Sequence, residues 1–252
     1  FVISIFIEGN TINAVRSINL ESWLLIFYQA VMVSLCAHMS MFYLYKFYTV
    51  GQIFPFYSLF PIFGIILTIS TFRLTNGEPR GRILGKISII LCPCALLLLL
   101  IPGLSSMGEP SLNNYIPVII TPSYYFGLII LSLSILLLFS RLILNLADHT
   151  GPFEPLAKSS VVGGILFSIA IFAFFTSWLR LSGSNIVPSY NEHLFWAGGH
   201  ILQFLNSLMM LASWYILGSL TIRQPIIEPR FFDYILLTFL VIGAYLLILL
   251  FL

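Results

Sequence analysis

The chain has 252 residues, of which 59% are hydrophobic and 8% charged, and its mean hydropathy is +1.03. These values exclude an ordinary soluble domain and indicate an integral membrane protein. The formal net charge of +2 gives no argument for nucleic acid as a partner, and the sequence contains no nucleic-acid-binding motif.

Seven apolar stretches are each long enough to cross a bilayer as a helix. Such a helix needs about 20 apolar residues, and the runs lie at about 22–48, 53–73, 83–104, 117–145, 160–182, 191–222 and 232–252. We therefore predict one all-α domain over 1–252, a polytopic transmembrane helix bundle of about seven spans. The chain begins without methionine and stops inside an apolar run, so we expect a piece of a longer polypeptide, with residues 1–7 ending an earlier helix.

The basic residues divide unevenly between the two sides of the predicted bundle. One side collects nine Lys and Arg residues, and the other has only Lys46 and Arg180. Basic residues in short loops favour the cytoplasm, so the side with nine is predicted to be cytoplasmic. The loops 105–116 and 183–190 then face outward.

Two of the four histidines belong to the predicted span at 191–222. At about 100° per residue, His193, His200, Gln203 and Ser207 share nearly one face, which predicts a polar stripe running inward from the outer end. His193 is near the interface, where water reaches it, whereas His200 is about 10 Å deeper. A polar side chain at that depth indicates either a functional site or a hydrogen bond between helices.

His38 is the second histidine placed deep in a predicted span, that at 22–48. Neutral imidazole binds haem iron and copper well, so His38 indicates either a cofactor ligand or a buried hydrogen bond. His149 follows Asp148 and precedes Gly151 in a loop, where we predict a solvated turn residue.

Two short motifs lie within predicted spans. The Gly-Gly pair at 198–199 leaves room either for a flat group or for close helix packing. The Cys-Pro-Cys triplet at 92–94 is similar to the copper-binding triplet of heavy-metal pumping ATPases. The chain lacks the phosphorylation segment of those pumps and shows no charged residue well inside a span, so a metal or small-molecule transporter is the least favoured hypothesis.

The segment FWAGGHILQF at 195–204 resembles the Trp-x-x-x-His segment of the catalytic subunit of haem-copper oxidases, in the C-type oxidase and nitric oxide reductase branches. Three segments are similar, in the same order, to bacterial proteins described as oxidase subunit I-like: AHMSMFYLY at 37–45, SLNNYIPVIITPSYYFG at 111–127 and EHLFWAGGHILQFLNSLMMLASW at 192–214. The resemblance implies that His200 binds copper or non-haem iron and that His38 is an axial ligand of a low-spin haem. Trp196 and Gln203 would lie next to the metal-binding His200. We place His193 in the same group, although the family has no residue that corresponds to His193.

The sequence departs from this family in its ligand set. The family needs a His-His pair on the next helix, and DYILLTFLVIGAYLLILLFL at 233–252 contains no histidine. The family's haem ligands on a later helix are also missing. Either the remaining ligands lie beyond residue 252, or the chain is a relative that holds fewer cofactors.

The resemblance implies a subunit of a bacterial cytoplasmic (inner) membrane complex. Such a subunit takes electrons from cytochrome c or a quinol and passes them through haem to oxygen or nitric oxide, so it would be part of an oxidoreductase. Its neighbours would be lipid and other membrane subunits. The main alternative is a non-catalytic scaffold whose histidines form hydrogen bonds between helices.

Overall fold

The computed structural model describes residues 59–75, 79–105, 107–111, 116, 118–147 and 149–249. Six helices and one short hairpin lie in this part of the chain. The helices are α1 (Leu59–Arg73), α2 (Arg82–Leu104), α3 (Pro122–Leu146), α4 (Pro155–Arg180), α5 (Pro188–Ile222) and α6 (Pro229–Leu249), and the strands are β1 (Pro110–Ser111) and β2 (Val118–Ile119).

Five of the helices, α2 to α6, are long and apolar enough to cross a membrane. The all-helical membrane bundle predicted from the sequence is confirmed in this coarser form, and five of the seven predicted spans have a long helix in their place. α1 has 15 residues and forms the second part of the span predicted at 53–73. The span predicted at 22–48, with His38, lies outside the described residues.

Four consecutive helices begin at a proline, namely Pro122, Pro155, Pro188 and Pro229. Proline suits the first helical position because its fixed φ matches the helix and its missing N–H would have no partner there. α4 therefore begins at Pro155, ahead of the apolar run predicted at 160–182, and includes polar residues of its first turn such as Lys158.

The contacts place basic residues together at one end of the bundle. Three contacts join residues of this end: Arg141 Nε donates to the carbonyl oxygen of Arg80 (3.2 Å), Arg73 pairs with Glu154 (2.9 Å) and Lys158 pairs with Asp233 (2.6 Å). Arg180 lies at the other end, in the last turn of α4. We call these the basic end and the outer end.

The hairpin β1–β2 covers part of the outer end. Its strands are antiparallel, with Pro110 opposite Ile119 and Ser111 opposite Val118. Because the chain is extended there, α3 begins at Pro122 and not at 117, where the apolar run begins. The Thr121 side chain accepts a hydrogen bond from the Tyr124 N–H (3.4 Å) and so caps the helix.

The helices pack as two close pairs joined at a common core. α2 packs along α3 and α4 along α5, while α6 contacts α4 and α5, and α1 contacts α3 and α4. The largest fully buried apolar side chains are Leu67, Leu142, Leu166, Phe167, Ile201 and Leu208. Residues of α1, α3, α4 and α5 therefore share one core.

Small and hydroxyl-bearing residues lie at the helix contacts. The hydroxyls of Ser88 and Ser134, 2.8 Å apart, join α2 to α3. Those of Ser70 and Ser160, 2.6 Å apart, join α1 to α4. In lipid, apolar surfaces gain little by meeting one another, so close packing and interhelical hydrogen bonds hold such helices together.

Candidate functional site

Five side chains of α5 form one line along the helix: His193, Trp196, His200, Gln203 and Ser207, which we call the α5 stripe. His193, Trp196 and Gln203 are exposed, and the other two are partly buried. Leu205 and Ala212, on the opposite face, are buried in the core. The α5 stripe therefore lies on the side of α5 turned away from α4.

His200 is held by the helix to which it belongs. Its Nδ1 lies 2.8 Å from the carbonyl oxygen of Trp196, one turn earlier. A carbonyl oxygen only accepts hydrogen bonds, so Nδ1 carries the hydrogen and Nε2 carries the lone pair of the neutral ring. The indole of Trp196 lies beside the imidazole, with 4.8 Å between ring centroids and 59° between planes. These two contacts fix both the tautomer and the direction of the ring.

Gly198 serves helix packing. A Cβ built at this position would collide with the aromatic ring of Phe174 on α4. Phe174 also makes an edge contact with Phe195, with 5.5 Å between centroids. The flat group that lies against Gly198 is therefore a phenyl ring of the neighbouring helix.

The described residues fit one ligand position of the implied haem or metal site. His200 has the arrangement usual for a metal-binding histidine, in which the second ring nitrogen donates to a carbonyl oxygen. Within the described ranges, no group of three or more His, Cys, Asp and Glu side chains could hold a metal ion. His38 lies outside those ranges. A centre at His200 would therefore need further ligands from residues that the structure does not describe.

Two other predicted features lie away from the α5 stripe. Cys92 and Cys94, both free thiols on α2, are two residues apart and so point about 200° away from one another. The two thiols therefore lie on different sides of α2. His149, predicted to be a solvated turn residue, is partly buried, and its Nδ1 lies 3.0 Å from the Leu74 carbonyl oxygen.

The outer end also contains a buried polar pair, Tyr125 and Asn191, that was not predicted from the sequence. The Tyr125 hydroxyl donates to Oδ1 of Asn191 at 2.7 Å and so links α3 to α5. Asn191 is fully buried, and its Nδ2 has no hydrogen-bond partner among the described residues. Apolar side chains of the hairpin, α3 and α5 surround the pair, including Val118 and Leu194.

The sequence offered no clear signal for this pair. An asparagine in the first turn of an apolar helix usually faces water or caps the backbone, so Asn191 gave no reason to expect burial. The pairing joins residues 66 positions apart and depends on how α3 and α5 meet.

Two bacterial proteins are similar to this chain. An uncharacterised protein of Rickettsia prowazekii (strain Madrid E) is 29% identical over 174 residues, which are 66% of this chain and 32% of that protein. An uncharacterised protein of Aquifex aeolicus (strain VF5) is 26% identical over 153 residues, 58% of this chain and 38% of that protein. The chain thus spans about a third of the length of these curated relatives. No protein-family model and no solved structure matches it significantly.

Proposed function

We propose that the chain is the membrane-embedded part of a redox subunit of a bacterial cytoplasmic membrane, similar to haem-copper oxidase subunit I. His200 would be a ligand of copper or non-haem iron. The hydrogen bond from its Nδ1 to the Trp196 carbonyl oxygen supports this role, because it leaves Nε2 as the nitrogen with the lone pair. The bacterial origin of the two relatives supports the bacterial membrane.

In this proposal the protein positions the His200 imidazole and determines which side chains surround it. A haem or metal centre would supply electron transfer to oxygen or nitric oxide. Trp196 restricts the rotation of the imidazole. Gln203, about one turn further along the α5 stripe, offers an amide for hydrogen bonding, and His193 stands nearer to the outer end. His38 would be the axial ligand of a haem, and cytochrome c or a quinol would supply the electrons.

A reduced-minus-oxidised optical spectrum of the purified full-length protein, with metal analysis of the same sample, tests this proposal. We expect haem bands in the wild type and their loss or displacement in His200→Ala. His149→Ala is the matched control, because that imidazole contacts the Leu74 carbonyl oxygen at the basic end. A wild-type protein with neither haem bands nor bound copper or iron contradicts the proposal, and so does an unchanged His200→Ala spectrum.

The apolar continuation of the α5 stripe favours a second candidate function, a non-catalytic scaffold. Trp196, Met210, Trp214 and Leu217 lie on the same side of α5 and are 45% to 62% exposed. Exposed aromatic and methionine side chains in one line are typical of a surface that packs against a partner. His200 would then form a hydrogen bond between helices, and the partner would be another membrane subunit.

Co-purification of membrane partners tests the scaffold function. Trp214→Ala is expected to reduce recovery of a partner subunit, while any haem spectrum stays unchanged. Trp178→Ala is the matched control, since that indole is 49% exposed but lies on α4. Equal partner recovery from the two variants would count against the scaffold.

A further inference from the structure

Two amide side chains, Gln203 and Asn206, are neighbours on the surface of α5. Gln203 is exposed and Asn206 is partly buried. Neither amide has a hydrogen-bond partner among the residues that the structure describes. The Ser207 hydroxyl beside them donates to the backbone carbonyl oxygen of Gln203 at 3.1 Å. The α5 stripe thus contains amide groups that the described helices do not satisfy.

The contacts between α4 and α5 fix how the two helices are aligned. A Cβ on Gly198 of α5 would meet the ring of Phe174 on α4. A Cβ on Gly163 of α4 would meet Leu205 and Met209 of α5. The helices are therefore antiparallel, and each level of α5 can be assigned to a level of α4.

Gln203 lies near the middle of the bilayer in this alignment. The charged residues towards the two ends of α4, Lys158 and Arg180, are level with about residues 212 and 192 of α5. About twenty residues of helix rise about 30 Å, which is the thickness of the hydrocarbon core. Gln203 is therefore about 15 Å from either edge of that core.

An amide at this depth needs a partner that lipid cannot supply. Lipid tails form no hydrogen bonds, so polar side chains at the bilayer centre face other protein or a water-filled cavity. Trp196 and Met210, on either side of the amides, are 45% and 46% exposed, so the described helices leave this side of α5 uncovered. A further membrane helix with a polar side chain at the same depth satisfies the amides.

The predicted span at 22–48, outside the described residues, has polar residues at the matching depth. Lys46 belongs to the predicted outer side, so the span runs from the basic end to the outer end, opposite to α5. His38 is ten residues before the end of the span at 48, which is about 15 Å in a helix and equals the depth of Gln203. Ser34, one turn earlier, is then level with Ser207.

The match extends along one face of each helix. Residues 34, 38, 41 and 45 are three or four positions apart and so share a helix face, as do the residues of the α5 stripe. In the antiparallel alignment the opposing residues are Ser34 and Ser207, His38 and Gln203, Met41 and His200, and Tyr45 and Trp196. Polar side chains oppose polar side chains at the bilayer centre, and two aromatic rings oppose each other nearer to the outer end.

The position of α1 brings the preceding part of the chain close to α5. Phe63 lies where α4 meets α5, because a Cβ on Gly163 would meet Phe63 as well as Leu205. α1 ends at Arg73 at the basic end, so its first residue, Leu59, is directed towards the outer end, where the predicted span ends. The ten residues 49–58 reach at most about 33 Å. This length is enough for residues 22–48 to lie beside α5.

We propose that residues 22–48 pack as a membrane helix along the α5 stripe, antiparallel to α5, with His38 beside Gln203. The imidazole and the amide form the hydrogen bond that each needs at the bilayer centre. A neutral imidazole that donates to the amide keeps a lone pair on its second nitrogen, so the contact is compatible with a haem at His38. The interface is independent of any cofactor, and it gives to the chain itself the face of α5 that the scaffold function gives to a partner subunit.

Disulfide crosslinking in the full-length protein tests the proposal. The pair Ser34→Cys, Ser207→Cys is introduced into a variant without other cysteines that has a protease site between Gly77 and Glu78. After oxidation in the membrane and proteolysis, a disulfide holds the two fragments together on a denaturing gel. A disulfide requires Cα atoms within about 7 Å of each other, so we expect this pair to crosslink.

The pair Ser34→Cys, Val241→Cys is the matched control. Val241 is 59% exposed on α6 and lies close to the depth of Ser207, because a Cβ on Gly243 would meet Leu166 of α4. We expect at least about tenfold less crosslinked product from this pair, since its Cα atoms would be separated by more than a disulfide can span.

The pair Tyr45→Cys, Trp196→Cys provides a second measurement of the same alignment. Absence of a crosslink in both this pair and Ser34→Cys, Ser207→Cys would overturn the proposal, as would equal product from the Val241→Cys control. A disulfide from the single variant Ser207→Cys to another subunit or to a second copy would assign this face of α5 to that partner and also overturn it.

Discussion

Tyr125 and Asn191 form a buried polar pair between α3 and α5. The asparagine is fully enclosed, with one hydrogen bond of 2.7 Å to its oxygen and none to its Nδ2 among the described residues. An amide in apolar surroundings destabilises the fold wherever a hydrogen bond is missing. The Tyr125 hydroxyl therefore contributes more than a surface hydroxyl of the same kind.

Removal of that hydroxyl should destabilise the protein. Tyr125→Phe leaves the Asn191 oxygen without its donor, and we expect the free energy of unfolding to fall by about 1–3 kcal/mol. Chemical denaturation in detergent micelles measures the change. Tyr234→Phe is the control, because Tyr234 is 65% exposed and should change stability by less than about 0.5 kcal/mol. Equal losses in the two variants would contradict the assignment.

Replacement of both members should recover part of the loss. In the double variant Tyr125→Phe, Asn191→Leu neither member keeps its polar group, and apolar groups of similar shape can replace a buried hydrogen-bonded pair at little cost. We expect the double variant to be more stable than Tyr125→Phe alone. A loss equal to the sum of the two single losses would show that the residues act separately.

The close approach of α4 to α5 depends on Gly198. Gly198→Ala places a methyl group against the Phe174 ring, and we expect a loss of about 1–3 kcal/mol, measured by the same denaturation experiment. Gly64→Ala is the control, because among the described residues its added Cβ would meet only Leu138, at 3.6 Å. If Phe174→Leu fails to restore the stability of Gly198→Ala, the ring is not the cause.

At the scale of helices, the sequence predicted the long spans and misplaced several of their ends. Runs such as 83–104 and 191–222 were reliable because a helix that crosses the hydrocarbon core needs about 20 predominantly apolar residues. The polar first turn at Pro155–Ser159 belongs to α4 although no hydropathy signal marks it. The strand at Val118–Ile119 is as apolar as the helix after it, so composition could not separate the two.

The ion pair between α4 and α6 should contribute little and depend on salt. Lys158 and Asp233, 2.6 Å apart, have side chains that are 32% and 45% exposed. Exposed pairs contribute about 0–1 kcal/mol and are screened by salt. We expect Asp233→Asn to lower stability by less than about 1 kcal/mol at low ionic strength and by less still at high ionic strength. Salt-independent destabilisation would show that the carboxylate acts through packing.

For the whole molecule, the two ends differ in charge, and this polarity defines how it would cross a bilayer. The ion pairs and the Arg141 contacts gather at the basic end, whereas the buried pair Tyr125–Asn191 lies at the outer end. The candidate residues at the α5 stripe could be chosen from the sequence because they share one helix. The contacts Tyr125–Asn191 and Arg141–Arg80 could not, because each depends on how separate parts of the chain pack together.

Cysteine labelling of intact cells tests the orientation. In a full-length variant that lacks Cys36, Cys92 and Cys94, a membrane-impermeant maleimide should label Ser184→Cys. It should label Gln224→Cys only after the membrane is opened, because positions 184 and 224 are exposed at opposite ends of the bundle. The reverse pattern would invert the predicted orientation.

The prolines at the first positions of α3 to α6 also affect how these helices would insert into a membrane. A long apolar stretch can in principle slide up or down in the lipid by gaining a turn at one end and losing one at the other. Proline disfavours extension of the helix towards its N-terminus, because its ring collides with the preceding turn at a cost of about 3 kcal/mol inside a helix. We therefore expect these four helices to enter the bilayer at a fixed depth, because extension of each helix beyond its first proline is disfavoured.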